Sequence, residues 1–255
     1  MITIFFVCLA VVLLIYALQR KLIYFPSNYC PTPSQARVGQ MQVVSLHTDD
    51  GLTLHAWYCP ASNKPTIVYF HGNAGHIGDR AILVAPYLTH GYGVLLVTYR
   101  GYSQNPGKPT ETGLYKDARA ALDFLEKQGV TYTVLFGESI GTAVAIQMAT
   151  ERPISALILQ SPFSSLTAVG QYHYPYLPVR WILKDIFASV DKAKNIHVPV
   201  LVIHGQNDSI IPPALGYRLV DAFPGSKKVV YVPNRGHNDL YEPALVIQFL
   251  NSLVQ

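Results

Sequence analysis

Short, almost wholly apolar runs alternate along this chain with longer stretches in which apolar residues recur every three or four positions. Uninterrupted apolar runs are typical of strands buried on both faces of a sheet, whereas the longer spacing is typical of helices with one buried face. The predicted strands are Thr66 to Phe70, Val94 to Tyr99, Thr133 to Phe136, Ala156 to Leu159, Val200 to Ile203 and Lys228 to Val232. The predicted helices are Asp79 to Thr89, Tyr115 to Lys127, Thr142 to Thr150, Ala214 to Ala222 and Pro243 to Leu253. This alternation predicts right-handed βαβ units and an α/β fold with a mostly parallel, doubly wound sheet.

A hairpin signal precedes these runs. The β-rich stretches Met41 to Thr48 and Leu52 to Cys59 are separated by Asp49-Asp50-Gly51, and an Asp-Gly pair between two such stretches is a strong hairpin signal. Two antiparallel strands are therefore expected to open the fold, which brings the predicted sheet to about eight strands.

The amino-terminal segment is uniformly apolar. Ile2 to Leu18 form a 17-residue run without a charged or strongly polar face, which is near the lower length limit for a membrane-spanning helix. A cleavable signal peptide would carry Lys or Arg ahead of the run and small residues at a cleavage site, and neither is obvious. An uncleaved, single-pass membrane anchor over residues 1–21 is therefore expected. Arg20 and Lys21 follow the run, and cationic flanks tend to stay in the cytoplasm, so the main domain is expected on that side.

The composition of the chain after this segment is typical of one globular domain. Residues 22–40 form a Pro-containing connector, and residues 41–255 are predicted to be one domain with an insertion at about 161–198. With 50% apolar and 13% charged residues, an intrinsically disordered chain is excluded. The net charge of +4 without blocks of like charge does not indicate nucleic-acid binding. The three cysteines show no metal-binding spacing, so no metal or organic cofactor is expected.

A candidate nucleophile follows the predicted strand that ends at Phe136. Gly137-Glu138-Ser139-Ile140-Gly141 is a G-x-S-x-G pattern between a strand and a small-residue helix. In that context a tight turn exposes the serine hydroxyl, and the glycines allow the turn to close. Ser139 is therefore the predicted nucleophile.

A serine nucleophile needs a base, and the base needs an acid that orients it. Asp208 lies just beyond the strand that ends at Ile203, and His237 follows the last strand, so the order Ser139, Asp208, His237 suits this topology. His237 would accept and return the proton, while Asp208 would hold the imidazolium. Asp208 could instead cap a helix, and the alternative acids are Asp185, Asp191 and Asp239.

An anionic tetrahedral intermediate would need two hydrogen-bond donors. One predicted donor is the backbone N–H of Ile140, which follows the nucleophile. The other is expected from the loop His71 to Gly75 after the first buried strand, where Asn73 is the predicted donor and Ala74 the alternative.

The chain resembles the α/β-hydrolase fold family. The resemblance rests on HGNAG at 71–75, YRGY at 99–102, GESIG at 137–141, HGQND at 204–208 and GHND at 236–239. Within the family it is similar to membrane-anchored serine hydrolases with an N-terminal apolar segment, a YFP-like junction and a small cap. The resemblance implies hydrolysis of esters or thioesters, and some eukaryotic members of that branch remove palmitoyl groups from protein cysteines. One departure is YRGYSQNPGKP, where similar proteins often read YRGYGxSxGxP, and it bears on substrate shape rather than on chemistry.

The insertion at about 161–198 is the expected cap. Its aromatic residues are expected either to line an apolar acyl pocket or to pack on the sheet edge, and His173 is interpreted as a cap residue rather than a base. The predicted substrate-binding residues are Tyr172, Tyr174, Tyr176 and Trp181.

These observations predict a membrane-anchored serine hydrolase that cleaves esters or thioesters of apolar acyl chains through an acyl-enzyme. The alternatives are a catalytically silent interaction module with the same fold, or a serine peptidase.

Overall fold

A computed structural model describes residues 2–253 of the protein, except for the side chains of residues 2, 4, 5 and 8. The strands are β1 Phe25–Pro26, β2 Gln42–His47, β3 Thr53–Cys59, β4 Thr66–Phe70, β5 Ala74–Gly75, β6 Gly93–Val97, β7 Thr133–Glu138, β8 Ala156–Gln160, β9 Val200–Gly205 and β10 Lys227–Val232. The α-helices are α1 Ile2–Ile23, α2 Ala81–Thr89, α3 Glu111–Lys127, α4 Ile140–Glu151, α5 Leu166–His173, α6 Val179–Ile182, α7 Ser189–Ala193, α8 Ala214–Ala222 and α9 Pro243–Ser252.

The central sheet has eight strands in the order β10-β9-β8-β7-β4-β6-β3-β2. The five pairs from β10 to β6 are parallel, whereas β3 is antiparallel to both β2 and β6. The mostly parallel sheet and its opening hairpin are therefore confirmed. Because β4 and β7 lie side by side in the middle, the loops after them meet at the carboxyl edge of the sheet.

Helices cover both faces of the sheet, as the wholly apolar strands predict. Along β4, Val68 and Phe70 belong to one buried apolar cluster, whereas Ile67 and Tyr69 belong to the other. Successive strand side chains point to opposite faces, so an uninterrupted apolar run serves both cores.

Three predicted helices differ from the structure at their amino-terminal ends, and one of them, α4, begins at Ile140 rather than at Thr142. The stretch predicted as one helix from Asp79 contains a 3₁₀ turn, Ile77–Arg80, before α2 begins at Ala81. The helix predicted from Tyr115 begins at Glu111, because the Thr110 hydroxyl accepts a hydrogen bond from the backbone N–H of Gly113 and caps the helix there.

The amino-terminal helix α1 continues two residues beyond the predicted anchor at 1–21, and β1 then pairs with β5. Within the part of the chain whose side chains are described, no helix has the length and apolar content required to cross a membrane. Met1 and the side chains of residues 2, 4, 5 and 8, which belong to the predicted anchor, lie outside the described residues.

The predicted cap region contains the short helices α5, α6 and α7 between β8 and β9. The segment that leads from α6 to α7 is held by Glu111, at the start of α3. One carboxylate oxygen of Glu111 accepts hydrogen bonds from the backbone N–H groups of Ile186, at 2.6 Å, and Phe187, at 3.0 Å. The cap therefore lies over the same sheet edge at which β7 ends.

Candidate active site

Ser139 lies in the turn between β7 and α4, with a positive φ of 52° and ψ of −117°. Few non-glycine residues adopt such a conformation, so the surrounding structure must enforce it. A Cβ atom on Gly137 would lie 2.5 Å from the Gly141 carbonyl oxygen, and one on Gly141 would collide with the Phe70 carbonyl oxygen. The two glycines are therefore required for the close approach of β7, α4 and β4 that holds Ser139 in place.

The structure brings Ser139, His237 and Asp208 together from three separate loops. Ser139 Oγ lies 3.1 Å from His237 Nε2, and His237 Nδ1 lies 2.7 Å from Asp208 Oδ2. With the proton on Nδ1 donated to the carboxylate, Nε2 is free to accept the serine proton. The arrangement can thus activate a hydroxyl group for attack on a carbonyl carbon.

Asp208 is 3% exposed and is held on both carboxylate oxygens. The backbone N–H groups of Ile210 and Ile211 donate to Oδ1, at 3.0 and 2.7 Å, while His204 Nε2 lies 3.4 Å from Oδ2. Burial alone would raise the pKa of Asp208, but hydrogen bonds from His204, His237 and Ile211 hold it well below its ordinary value. The carboxylate that faces His237 is therefore ionised at neutral pH.

The alternative acids make other contacts, and His173 belongs to the cap. Asp185 pairs with Arg20, Asp239 accepts the backbone N–H of Gly236 at 2.7 Å, and Asp191 is exposed on α7. His173 Nε2 lies 2.8 Å from the carbonyl oxygen of Ile210. Of the candidates named from the sequence, only Asp208 contacts the imidazole of His237.

The two predicted oxyanion donors lie beside Ser139 in the wall of one cavity. Ile140 is the first residue of α4, so its N–H has no carbonyl one turn earlier to bond. Asn73 is held firmly, since its carbonyl oxygen accepts hydrogen bonds from Phe25 N at 2.9 Å and from the Tyr102 hydroxyl at 2.7 Å. Ala74, the alternative donor, lies in β5 and is not part of the cavity wall, which favours Asn73.

A buried ion pair beneath the nucleophile was not anticipated from the sequence. Arg80 contacts both carboxylate oxygens of Glu138, at 2.8 and 3.2 Å, and the Tyr69 hydroxyl donates to the same carboxylate at 3.0 Å. Burial opposes ionisation of Glu138, but the Arg80 cation outweighs it and lowers the pKa of that carboxyl group. Glu138 directly precedes Ser139, so this network fixes the backbone that presents the nucleophile. Its only signal in the sequence was an acidic residue inside the G-x-S-x-G pattern.

The nucleophile opens onto an apolar cavity of about 530 Å³ between the sheet edge, the cap and α1. The cap lines it with residues that share one face of α5, at positions 166, 169, 170 and 173, together with residues of α6 and its flanks. These positions are three or four residues apart between Leu166 and His173. That spacing is the feature of the sequence from which the side of α5 that faces the cavity could have been predicted.

The prediction for the substrate-binding aromatics needs correction. Of the four, only Tyr174 lines the cavity. Tyr172, Tyr176 and Trp181 are 57%, 99% and 79% exposed and lie outside the cavity wall. The reason is helical periodicity: the aliphatic side chains of α5 and α6 face inward, so neighbouring aromatics such as Tyr172 and Trp181 are turned outward.

Comparison with known proteins identifies the family. One family model, described as serine aminopeptidase, S33, matches residues 61–190, and another, described as TAP-like protein, matches residues 180–250. The α/β-hydrolase domain-containing protein WAV2 of Arabidopsis thaliana is 31% identical over 235 residues, which cover 81% of this chain and 76% of that protein. The chain belongs to the α/β-hydrolase family.

Two further proteins are similar to this α/β-hydrolase, one in sequence and one in fold. An uncharacterized protein of Mycobacterium tuberculosis is 44% identical over 236 residues, which cover 90% of this chain and 84% of the relative. An esterase of Pyrococcus furiosus shares the fold with a TM-score of 0.71 at 20% sequence identity, over 91% of this hydrolase and 98% of that chain. Among the side chains that the structure describes, no group of three or more His, Cys, Asp or Glu residues is arranged to hold a metal ion.

Proposed function

We propose that this α/β-hydrolase is a serine hydrolase that cleaves carboxylic ester or thioester bonds of apolar acyl chains through an acyl-enzyme. The observation that carries the proposal is the position of Ser139 Oγ, 3.1 Å from His237 Nε2, in the wall of an apolar cavity. The cavity provides space for an acyl chain directly beside the group that would attack it.

In the proposed reaction, Ser139 Oγ forms a bond to the acyl carbon while its proton passes to His237 Nε2. The carbonyl oxygen becomes an oxyanion that accepts hydrogen bonds from the backbone N–H groups of Ile140 and Asn73. The ester or thioester bond then breaks, and the departing alcohol or thiol takes the proton from His237. Water repeats the sequence on the acyl-enzyme, which frees the carboxylic acid and restores Ser139.

The lining of the cavity supports an apolar acyl group. Leu166, Val169, Leu177, Val179 and Ile182 of the cap region all contribute side chains to it. Such a surface favours a hydrocarbon chain because apolar area is removed from water when the chain binds. A serine peptidase that recognises a free amino terminus would instead need an acidic side chain opposite the ammonium group, and no Asp or Glu side chain is among the described residues that line the cavity.

We further propose that the exposed surface of α1 anchors the protein in a membrane, with the main domain on the cytoplasmic side. Exposed apolar side chains on more than one side of α1, including Val7, Leu9 and Leu13, support this proposal, because water is a poor environment for such a helix. Arg20 and Lys21 at the end of α1 support the orientation. The substrate would then be an acylated molecule at the membrane surface.

The proposed chemistry is tested by labelling purified wild type and Ser139→Ala with a fluorophosphonate, which reacts with activated serine residues. Labelling of wild type alone is expected. An unlabelled wild-type protein that is folded by circular dichroism would contradict the proposal and favour the interaction module, whereas labelling of both proteins would assign the reactive group to another residue.

A further inference from the structure

The amino-terminal helix contributes to the cavity that contains the nucleophile. Ile15, Gln19 and Leu22 of α1 line the same cavity as Ser139 and His237. A helix that served only as a tether would not need to reach the site. The described part of α1 therefore has a second structural role beside any role in a membrane.

One face of α1 is turned toward the domain. The less exposed positions recur at Val12, Ile15, Gln19 and Ile23, at spacings of three or four residues that place them on one side of a helix. Leu14, next to Ile15, is 59% exposed and does not line the cavity. The orientation of α1 about its own axis is thus defined by its contact with the domain.

Polar contacts hold α1 and the residue that follows it against the cap, and we call this set of contacts the α1–cap latch. It joins Gln19, Arg20 and Tyr24 to the cap residues Ile182, Lys184 and Asp185. The Gln19 amide donates to the Ile182 carbonyl oxygen at 2.9 Å and accepts the Lys184 backbone N–H at 2.7 Å. The Gln19 side chain is 5% exposed, and its amide nitrogen and its amide oxygen both have hydrogen-bond partners in the cap.

The segment that follows α1 is joined to the loop with the proposed oxyanion donor. The Asn73 side-chain amide donates to the Ile23 carbonyl oxygen at 2.8 Å, and the Phe25 backbone N–H donates to the Asn73 carbonyl oxygen at 2.9 Å. Contacts to the cap on one side and to Asn73 on the other fix α1 against the cavity.

We propose that α1 is part of the acyl-binding site, in which Ile15 and Leu22 line one wall of the cavity and Ile15 sets the length of acyl chain that the site accepts. This inference rests on the proposed hydrolase function. Leu22 directly precedes Ile23, which is bonded to Asn73, whereas Ile15 lies about 10 Å farther along the helix axis. A short acyl chain therefore ends before it reaches Ile15, whereas a long chain packs against it. Chain-length preference therefore depends on residues of the helix that the sequence suggested only as an anchor.

The test compares full-length variants in detergent, each labelled with alkyl fluorophosphonates that carry a butyl or a dodecyl chain. Labelling joins Ser139 Oγ to phosphorus and releases fluoride, so it requires the nucleophile but no turnover. Ile15→Trp is expected to lower the ratio of dodecyl to butyl labelling rates by about tenfold, because the larger ring fills the far end of the pocket. Ile15→Ala, which enlarges the same region, is expected to raise the ratio.

Leu14→Trp is the matched control, because it adds the same ring to the neighbouring, solvent-facing position, and it is expected to leave the ratio unchanged. A far-ultraviolet circular dichroism spectrum and a melting temperature that match wild type show that a variant is folded. If Ile15→Trp fails that criterion, the smaller substitution Ile15→Phe decides the question. Wild-type ratios in the folded Ile15 variants, or an equal fall in Leu14→Trp, would overturn the inference alone. A wild-type protein that neither probe labels would refute the proposed function and this inference together.

Discussion

Arg20, at the end of the apolar amino-terminal helix, forms a two-point ion pair with Asp185 of the cap. Arg20 Nε lies 3.0 Å from Asp185 Oδ2, and Arg20 Nη2 lies 3.1 Å from Oδ1. Asp185 is 2% exposed and also accepts a hydrogen bond from the Tyr24 hydroxyl at 3.2 Å. An aspartate that the sequence offered as a candidate catalytic acid therefore connects α1 to the cap.

Arg20→Ala is expected to destabilise the protein by about 1–3 kcal/mol, because it leaves a buried carboxylate with one hydrogen-bond donor and no cation. Thermal unfolding of the detergent-solubilised protein measures the effect. Lys21→Ala is the control, since Lys21 has the same charge and is exposed one position later. Equal melting temperatures for the two variants would show that the ion pair contributes nothing measurable.

Local patterns were sufficient to predict most of the fold. The apolar runs became strands buried on both faces, such as β4 and β9, and Asp-Gly at positions 50–51 became the turn of the opening hairpin. The turn that carries Ser139 was predicted because its glycines and its place between strand and helix are local properties. Asp208 and His237 were found in the same way, since the carboxyl ends of parallel strands meet at one edge of the sheet.

The contacts of α1 could not be predicted in the same way. Arg20 and Asp185 are 165 positions apart, and nothing in either neighbourhood specifies the other. The cap aromatics show a related limit: composition suggested a pocket lining, but the direction of each side chain depends on how α5 and α6 are rotated. Only Tyr174 of the four predicted residues faces the cavity.

Asp208→Asn is expected to lower kcat by roughly four orders of magnitude, because an amide can hold His237 in the wrong tautomer and cannot stabilise an imidazolium. Hydrolysis of p-nitrophenyl octanoate measures the loss. Asp191→Asn serves as the control, since Asp191 is another candidate acid of the sequence and is exposed on α7. A large loss in Asp191→Asn, or nearly full activity in Asp208→Asn, would contradict the assigned role.

The buried side chain of His71 is expected to make the free energy of unfolding depend on pH. Burial, together with the nearby Arg80 cation, lowers the pKa of His71 from 6.5 to about 3. Its Nδ1 lies 2.7 Å from the Gly72 carbonyl oxygen, and its buried Nε2 has no hydrogen-bond partner among the described residues. Between pH 6.5 and about 3 the unfolded chain binds a proton at this position that the folded protein does not. Stability must therefore fall as the pH falls through this window.

The consequence is measured by comparing wild type with His71→Gln, which cannot titrate. The stability of wild type relative to the variant is expected to decline with acidification by on the order of 1 kcal/mol per pH unit. Denaturant unfolding at pH 7.0, 5.5 and 4.5 gives the difference directly, and titration of Asp208 and the other shared groups cancels in it. A difference that stays constant with pH would mean that His71 is protonated as readily in the folded protein as in the unfolded chain.

We expect the exposed side of α1 to bind the membrane and the opposite side to line the substrate cavity. Val7 and Leu14 are 58% and 59% exposed, lie seven residues apart on the side of α1 that is turned away from Ile15, and do not line the cavity, so the double substitution Val7→Arg, Leu14→Arg changes only the outer surface of the helix. If this surface enters a bilayer, each arginine costs roughly 2.5 to 3.5 kcal/mol near the centre of a span, and the variant is expected to lose flotation with phosphatidylcholine vesicles. Fluorophosphonate labelling of the same variant in detergent is expected to match wild type, since Ile15 and Gln19 still face the site. Ile82→Arg, at an apolar position on α2 that is 70% exposed, should float as wild type does. Flotation of the double variant would place the membrane contact elsewhere, whereas loss of labelling would mean that the outer face of α1 also supports the active site.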